Sequence, residues 1–345
     1  MAGVQYAKDQ PAGFKNHVEN IAIVGASGRI GAFIAHELLK TKIHKVTALT
    51  RAEHNEANKF PPGLSIIPVN YSDPSTLVDA LRGQDVLIIT MSAFAPRDTE
   101  AKLIQAAADA GVPWVMPNEW GLDGQSTDLV REAMTGPGRE AARNLIRSLG
   151  KSSFVSLVCG FWYEFSLAGQ EIRFGFDFPN RTVTFYDDGS AKINVSTWAQ
   201  CGRAVARLWS LKIMPDDESD ASPTLSSHFR NRFVYISSFL LSQRDMFESV
   251  LRVTGTTERD WKIQYQDVKQ RYQEGLAAFQ NAGDMMGWVK AMYARDFWPD
   301  GSGNYQAVRG LHNQLLGLPD EDLDERTKVA IDMVEKGDDA CRPKD

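Results

Sequence analysis

Short apolar runs alternate with amphipathic stretches across the first half of the chain. Ile21-Ala-Ile-Val24, Lys45-Val-Thr-Ala-Leu49, Leu64-Ser-Ile-Ile-Pro-Val69, Val86-Leu-Ile-Ile-Thr90, Trp114-Val-Met116 and Phe154-Val-Ser-Leu-Val158 have strand length and little or no polar face. Between them, helical periodicity predicts helices over 30–40, 74–81, 99–110 and 139–149, the last ended by Gly150. Near-continuous apolar strands separated by helices require a sheet covered on both faces. Right-handed crossovers then give an α/β fold with a doubly wound, mostly parallel sheet.

Beyond Cys159 the pattern changes. A strand and turn are expected at 181–189, helices at 197–208 and 243–253, a further sheet strand at 233–236, and an exposed loop at 214–224. Residues 268–298 read as helical and rich in Met and aromatics. The predicted organisation is an N-terminal arm (1–18), a sheet domain (19–162, completed by about 194–254) and a smaller, mainly helical lobe (163–193 and 255–345).

Composition narrows the function classes. The 345 residues carry 38 Lys+Arg against 44 Asp+Glu, a net charge of -6, which argues against nucleic acid as a partner. The apolar run near 86–95 is far shorter than the ~18 residues that a membrane span needs, and the first twenty residues are polar. Three cysteines and six histidines form no metal-ligand spacing. These features predict a cytoplasmic protein that handles a small-molecule substrate, with no membrane and no metal.

The most informative heptad is Gly25-Ala-Ser27-Gly28-Arg29-Ile30-Gly31, which follows the first strand and opens the first helix. One glycine there makes the tight turn, a second lets the backbone approach a diphosphate, and a third packs helix on strand. The free amides and positive helix end then hold the phosphates. The second strand ends at Thr50-Arg51, where an NAD-binding chain usually carries a carboxylate. Arg51 instead matches a 2′-phosphate with two parallel charge-assisted bonds, and Arg29 and Lys59 add charge nearby. The expected cofactor is NADP(H).

A ligand in such a sheet lies outside the carboxyl ends of the strands. Those ends are Thr90-Met91-Ser92, Pro117-Asn118-Glu119-Trp120-Gly121 and Cys159-Gly160-Phe161-Trp162-Tyr163. Thr90, Met91, Ser92 and Asn118 are placed beside the cofactor. Trp120, Phe161, Trp162 and Tyr163 are candidate substrate contacts, each equally compatible with covering the sheet edge. The sequence at these positions resembles the NmrA-like and isoflavone reductase-like group of atypical short-chain dehydrogenases. The resemblance rests on the glycine loop, Pro117 to Gly121, Gly160 to Glu164, Gly202-Arg-Ala-Val-Ala206 and Phe297-Trp-Pro-Asp-Gly301, and runs from about 19 to 336.

That resemblance implies a Rossmann domain that binds NADP(H), with a substrate lobe. It also implies NADPH-dependent reduction of small aromatic or polyketide-like metabolites, or cofactor sensing coupled to a protein partner. The family's catalytic lysine position falls on Arg139, which cannot exchange a proton but can stabilise a developing oxyanion. Arg139 also recurs with Arg143 and Arg147 every four residues, as a solvated helix face would. Tyr163 and Glu119 are the other catalytic candidates, as proton donor and as titratable group; a structural carboxylate fits Glu119 equally well.

Overall fold

A computed structural model describes residues 5–51, 60–92 and 95–337. The main sheet contains β1 (Asn20–Val24), β2 (Lys45–Arg51), β3 (Ser65–Val69), β4 (Val86–Ile89), β5 (Trp114–Met116), the two-residue β6 (Trp120–Gly121), β7 (Ser153–Val158) and β12 (Arg232–Tyr235). Its spatial order is β12-β7-β5-β4-β1-β2-β3, with β6 paired to β7, and every pairing is parallel. The order reverses between β1 and β4, which opens a crevice at their carboxyl ends. This is the Rossmann arrangement.

Alternation along each strand sorts the core. Ile21 and Ile23 of β1 point into one apolar layer, and Ala22 and Val24 into the other. The first layer is closed by α1 (Arg29–Lys40) and α8 (Trp198–Trp209), through Ile34, Leu38, Val205 and Leu208. The second is closed by α2 (Pro74–Leu81), α3 (Thr99–Ala110) and α5 (Gly136–Leu149). Helix α5 begins three residues before the periodicity suggests, because Pro137 in its first turn lacks only an N–H that would have no partner there anyway.

The lobe is less purely helical than expected. It holds β8 (Phe161–Trp162), β9 (Phe176–Asp177), β10 (Thr182–Tyr186), β11 (Ile193–Ser196), β13 (Phe239–Leu241) and β14 (Lys262–Gln266), arranged as two three-stranded sheets. Around them lie α4 (Thr127–Glu132), α6 (Tyr163–Leu167), α7 (Glu171–Phe174), α9 (Gln243–Thr254), α10 (Val268–Ala282), α11 (Met285–Asp296), α12 (Gln306–Arg309) and α13 (Leu323–Glu335). The segment 194–254 is divided: α8 and β12 join the main sheet, whereas Met246, Phe247 and Val250 of α9 lie in the lobe core with Phe174 and Phe185.

The predicted helical run 268–298 is two helices. Gly283 adopts a left-handed conformation that ends α10, and Asp284 accepts from the Met286 amide (2.9 Å) to start α11. Tyr293 and Phe297 of this stretch are core residues, whereas Met285 and Met286 are exposed. The 214–224 loop is tied to the N-terminal arm: Asn16 Nδ2 donates to the Met214 carbonyl (2.8 Å), and the Ala7 amide to that of Pro215 (2.9 Å).

Helices α1 and α8 meet at Gly202, where a Cβ would stand 2.7 Å from the Phe33 carbonyl oxygen. Gly202→Ala must push the two helices apart, and we expect a loss of about 1–3 kcal/mol. Denaturant unfolding of the variant checks this; an unchanged midpoint would contradict the packing described.

Candidate functional site

The glycine loop lies at the crevice between β1 and β4. Gly25 has φ +84°, and a Cβ there would overlap the Thr90 carbonyl; a Cβ on Gly31 would overlap the Gly25 carbonyl. Both glycines are therefore demanded by the chain's own packing. Gly28 is different. It has φ -76° and is exposed, and an added Cβ would press on the Gly25 carbonyl oxygen at 3.1 Å without overlapping it as the other two would. Gly28 is also the N-cap of α1, with no side-chain cap and no acidic residue in the first turn. Its first-turn amides and positive helix end are left for an external anion, and a dinucleotide diphosphate fits that cradle.

Ser27 is exposed beside the cradle and Ile30 is buried beneath it. The Arg29 guanidinium lies 5.6 Å from the Trp198 ring centre and 5.9 Å from that of Phe165. Thr50 is half-buried and Arg51 exposed at the end of β2; Lys59 lies outside the described residues. The Thr90 hydroxyl donates to the Val24 carbonyl (2.8 Å), so it braces the loop from below. Asn118 accepts from the Met91 amide (3.1 Å) and donates to the Met91 carbonyl (3.2 Å), clamping the segments after β4 and β5 together. Ser92 is exposed at the same edge.

Arg139 sits in the first turn of α5, and its Nη2 is 3.9 Å from where a Gly121 Cβ would stand. That places its guanidinium against the backbone at the ends of β6 and β7. Burial pulls it below the usual arginine value, against the nearby charge of Glu119. Its Nη1 is buried without a hydrogen-bond partner. The arginine face of α5 is solvated only at its far end, where Arg147 is exposed. Arg143 is buried, 5.0 Å over the Phe233 ring, and Arg147 covers Phe154.

Several predicted residues occupy other roles. Glu119 is 1% exposed, with both carboxylate oxygens 2.5 Å from Arg143 Nη1, so it is held in a buried ion pair rather than presented to a substrate. Tyr163 is 0% exposed, and its hydroxyl is 2.6 Å from Thr327 Oγ1 of α13. Burial pushes that phenol far above its ordinary value, and its ring lies in the apolar core of the lobe with Phe174 and Phe161. The expected proton donor is thus sealed inside the lobe. Phe161 is buried and stacked on Tyr293, ring centres 3.9 Å apart. Trp120 is half-buried and donates from Nε1 to the Ile89 carbonyl (2.8 Å). Trp162, also half-buried, packs with Phe165 and Trp198 near the start of α1. Among the described residues no helix is long and apolar enough to cross a membrane, and no cluster could hold a metal ion.

The model of the NmrA-like family matches residues 17–168. Oxidoreductase aprR of Aspergillus flavus is 27% identical over 310 residues, covering 88% of this chain and 96% of that protein. The structure of an isoflavone reductase superposes with a TM-score of 0.68 at 21% identity, covering 90% of this chain and 98% of the other. A leucoanthocyanidin reductase–NADPH complex from Vitis vinifera gives 0.70 at 17% identity, with 90% and 99% covered. Residues 17–168 are thus similar to the NmrA-like family, and the fold as a whole is that of the isoflavone reductase structure.

Three polar groups carry no signal of their burial in the sequence. Glu100, in the first turn of α3, accepts from the Asn118 amide (2.7 Å), and burial raises its carboxyl. Glu164 of α6 is 3% exposed with Oε2 unpartnered, and burial pushes it up to about 7. Asp296 is likewise buried, with Oδ1 unpartnered, and also raised to about 7 by burial. Only Glu164 lay in a segment singled out for the candidate site, through the resemblance at Gly160 to Glu164, and nothing there signalled burial.

Because its folded value lies above the ordinary 4.5, Glu164 supports the fold fully below that pH and loses its contribution as pH rises through about 7. We therefore expect the protein to lose stability across that window, and Glu164→Gln to flatten the slope. Urea unfolding at about pH 5 and about pH 8 measures it; an equal slope in both proteins would contradict the assignment.

Proposed function

We propose that this chain is an NADPH-dependent reductase of a small, apolar or aromatic metabolite. The observation that carries the reading is the open Gly28 cradle over the uncapped start of α1, with Arg51 ending β2. Support also comes from aprR, which is named an oxidoreductase, and from the leucoanthocyanidin reductase that was solved with NADPH. We place the cofactor on residues 19–162 with α8 and β12, and the substrate between that edge and the lobe. The working location is the cytoplasm.

Bound NADPH supplies a hydride. The proton that completes the reduction would come from water, and the chain's own groups bind and orient the reactants. The amides of the Gly25–Gly31 loop hold the diphosphate, and Arg51 takes the 2′-phosphate with its planar fork. Asn118 fixes the spacing of the two strand ends that flank the nicotinamide position. Arg139 stabilises negative charge that develops on a substrate oxygen at the ends of β6 and β7.

A second reading, a cofactor-sensing regulator that acts through a protein partner, draws on one observation. Tyr163 is sealed and Glu119 is ion-paired, so neither is offered as a proton donor. The two readings divide on NADPH consumption in the presence of aromatic enones and ketones, which a sensor does not show.

For cofactor choice, Arg51→Asp should weaken NADPH binding about tenfold or more while leaving NADH little changed, since a carboxylate repels the 2′-phosphate. Fluorescence titration of both cofactors checks this, and a retained NADPH preference would overturn the role given to Arg51.

A further inference from the structure

One sheet of the lobe, ordered β14-β10-β9, has an open margin. There β14 (Lys262–Gln266) pairs in parallel with β10 alone. The Lys262 amide donates to the Arg181 carbonyl (2.8 Å), and the Gln266 carbonyl accepts from the Asp187 amide (2.8 Å). Backbone direction alternates along a strand, so Lys262, Gln264 and Gln266 face β10, whereas Ile263 and Tyr265 direct their N–H and C=O outward. Among the described residues no hydrogen bond takes up those outward groups.

The side chains are open there too. Gln264 and Tyr265 project from opposite faces, and both are exposed, Tyr265 to 61%. On one face Ile263 lies beside Val183 and Tyr265 beside Phe185, and Val183 and Phe185 are fully buried. The apolar row of the lobe core thus runs out to the margin and stops at Tyr265, whose hydroxyl accepts from Arg244 Nη2 (3.4 Å). The strand holds no Pro, and its one charge, Lys262, lies at its first position. Two devices that keep edge strands from pairing are therefore missing or displaced to the end.

We infer that β14 is a self-association edge, on which a second copy of this chain lays its own β14 antiparallel about a two-fold axis at Gln264. The occupant follows from the strand's own symmetry. With Gln264 opposite the partner's Gln264, Ile263 stands opposite the partner's Tyr265, and each outward N–H meets an outward C=O. That register also puts an aliphatic and an aromatic side chain together on the apolar face. Lys262 meets the partner's Gln266, so no like charges are opposed. The same patch is used on both subunits, which closes the assembly as a dimer.

Sedimentation velocity of the full chain from about 1 to about 100 µM tests the edge. A single strand pair is a small interface, so wild type is expected to pass from monomer to dimer within that range. Tyr265→Lys, which charges the margin, should weaken the dimer about tenfold or more. The axis is tested by cross-linking in a Cys341→Ser background, where the remaining Cys159 and Cys201 are buried. Gln264→Cys should form a disulfide between copies under mild oxidation, because Cα atoms directly opposite at such a non-hydrogen-bonded position lie about 4.5 Å apart. Gln266→Cys, opposite the partner's Lys262, should not. A monomer at every concentration overturns the inference and leaves the edge to an extended segment of a different protein. A dimer indifferent to Tyr265→Lys, or one that Gln264→Cys does not cross-link, overturns it as well.

Discussion

The site depends on how closely the turn between β1 and α1 approaches the end of β4. Gly25 and Gly31 allow that approach, and the Thr90 hydroxyl holds it by donating to the Val24 carbonyl. A side chain at either glycine would displace backbone, not a flexible side-chain tip, so the contact has no easy substitute. Once the turn sits there, the first amides of α1 point into the crevice at the switch in strand order. The cradle is then a consequence of packing, and Gly28, exposed and in an ordinary backbone conformation, is the glycine of the three that the packing demands least.

A second layer of order comes from buried polar pairs beneath the strand ends. Asn118 ties the segments after β4 and β5, Glu100 holds the Asn118 amide, and Glu119 holds Arg143. Each of these groups has its hydrogen-bonding capacity largely taken up inside the fold, as buried polar groups must. Arg139 is the member of the group that retains an unmatched buried donor. The contrast between spent and unspent polar groups separates residues that shape the site from one equipped to meet a ligand.

The Rossmann half was legible in the sequence because its strands are apolar on both faces and its helices keep a clean period. The ends of α2 and α3 coincide with Pro74–Leu81 and Thr99–Ala110 for that reason. The lobe was less legible. Its strands are two to five residues long, and pairings such as β8 with β11 join segments more than thirty residues apart, which local pattern does not encode. Side-chain roles were the least legible of all. Tyr163 and Glu119 have the right chemistry in the right segment, yet Thr327 and Arg143, distant in sequence, decide where they point. A sequence shows which groups exist near an edge; the partner that consumes each one appears only in the fold.

The central claim is that Gly28 is kept free of a side chain for a ligand. Calorimetric titration of NADPH into wild type and Gly28→Ala, with thermal unfolding of both to register any shift of the Gly25 carbonyl, tests it most directly. The account predicts tight binding by wild type and a loss of about tenfold or more in the variant as the methyl group blocks the diphosphate. Equal affinities, or no NADPH binding by wild type, would contradict it.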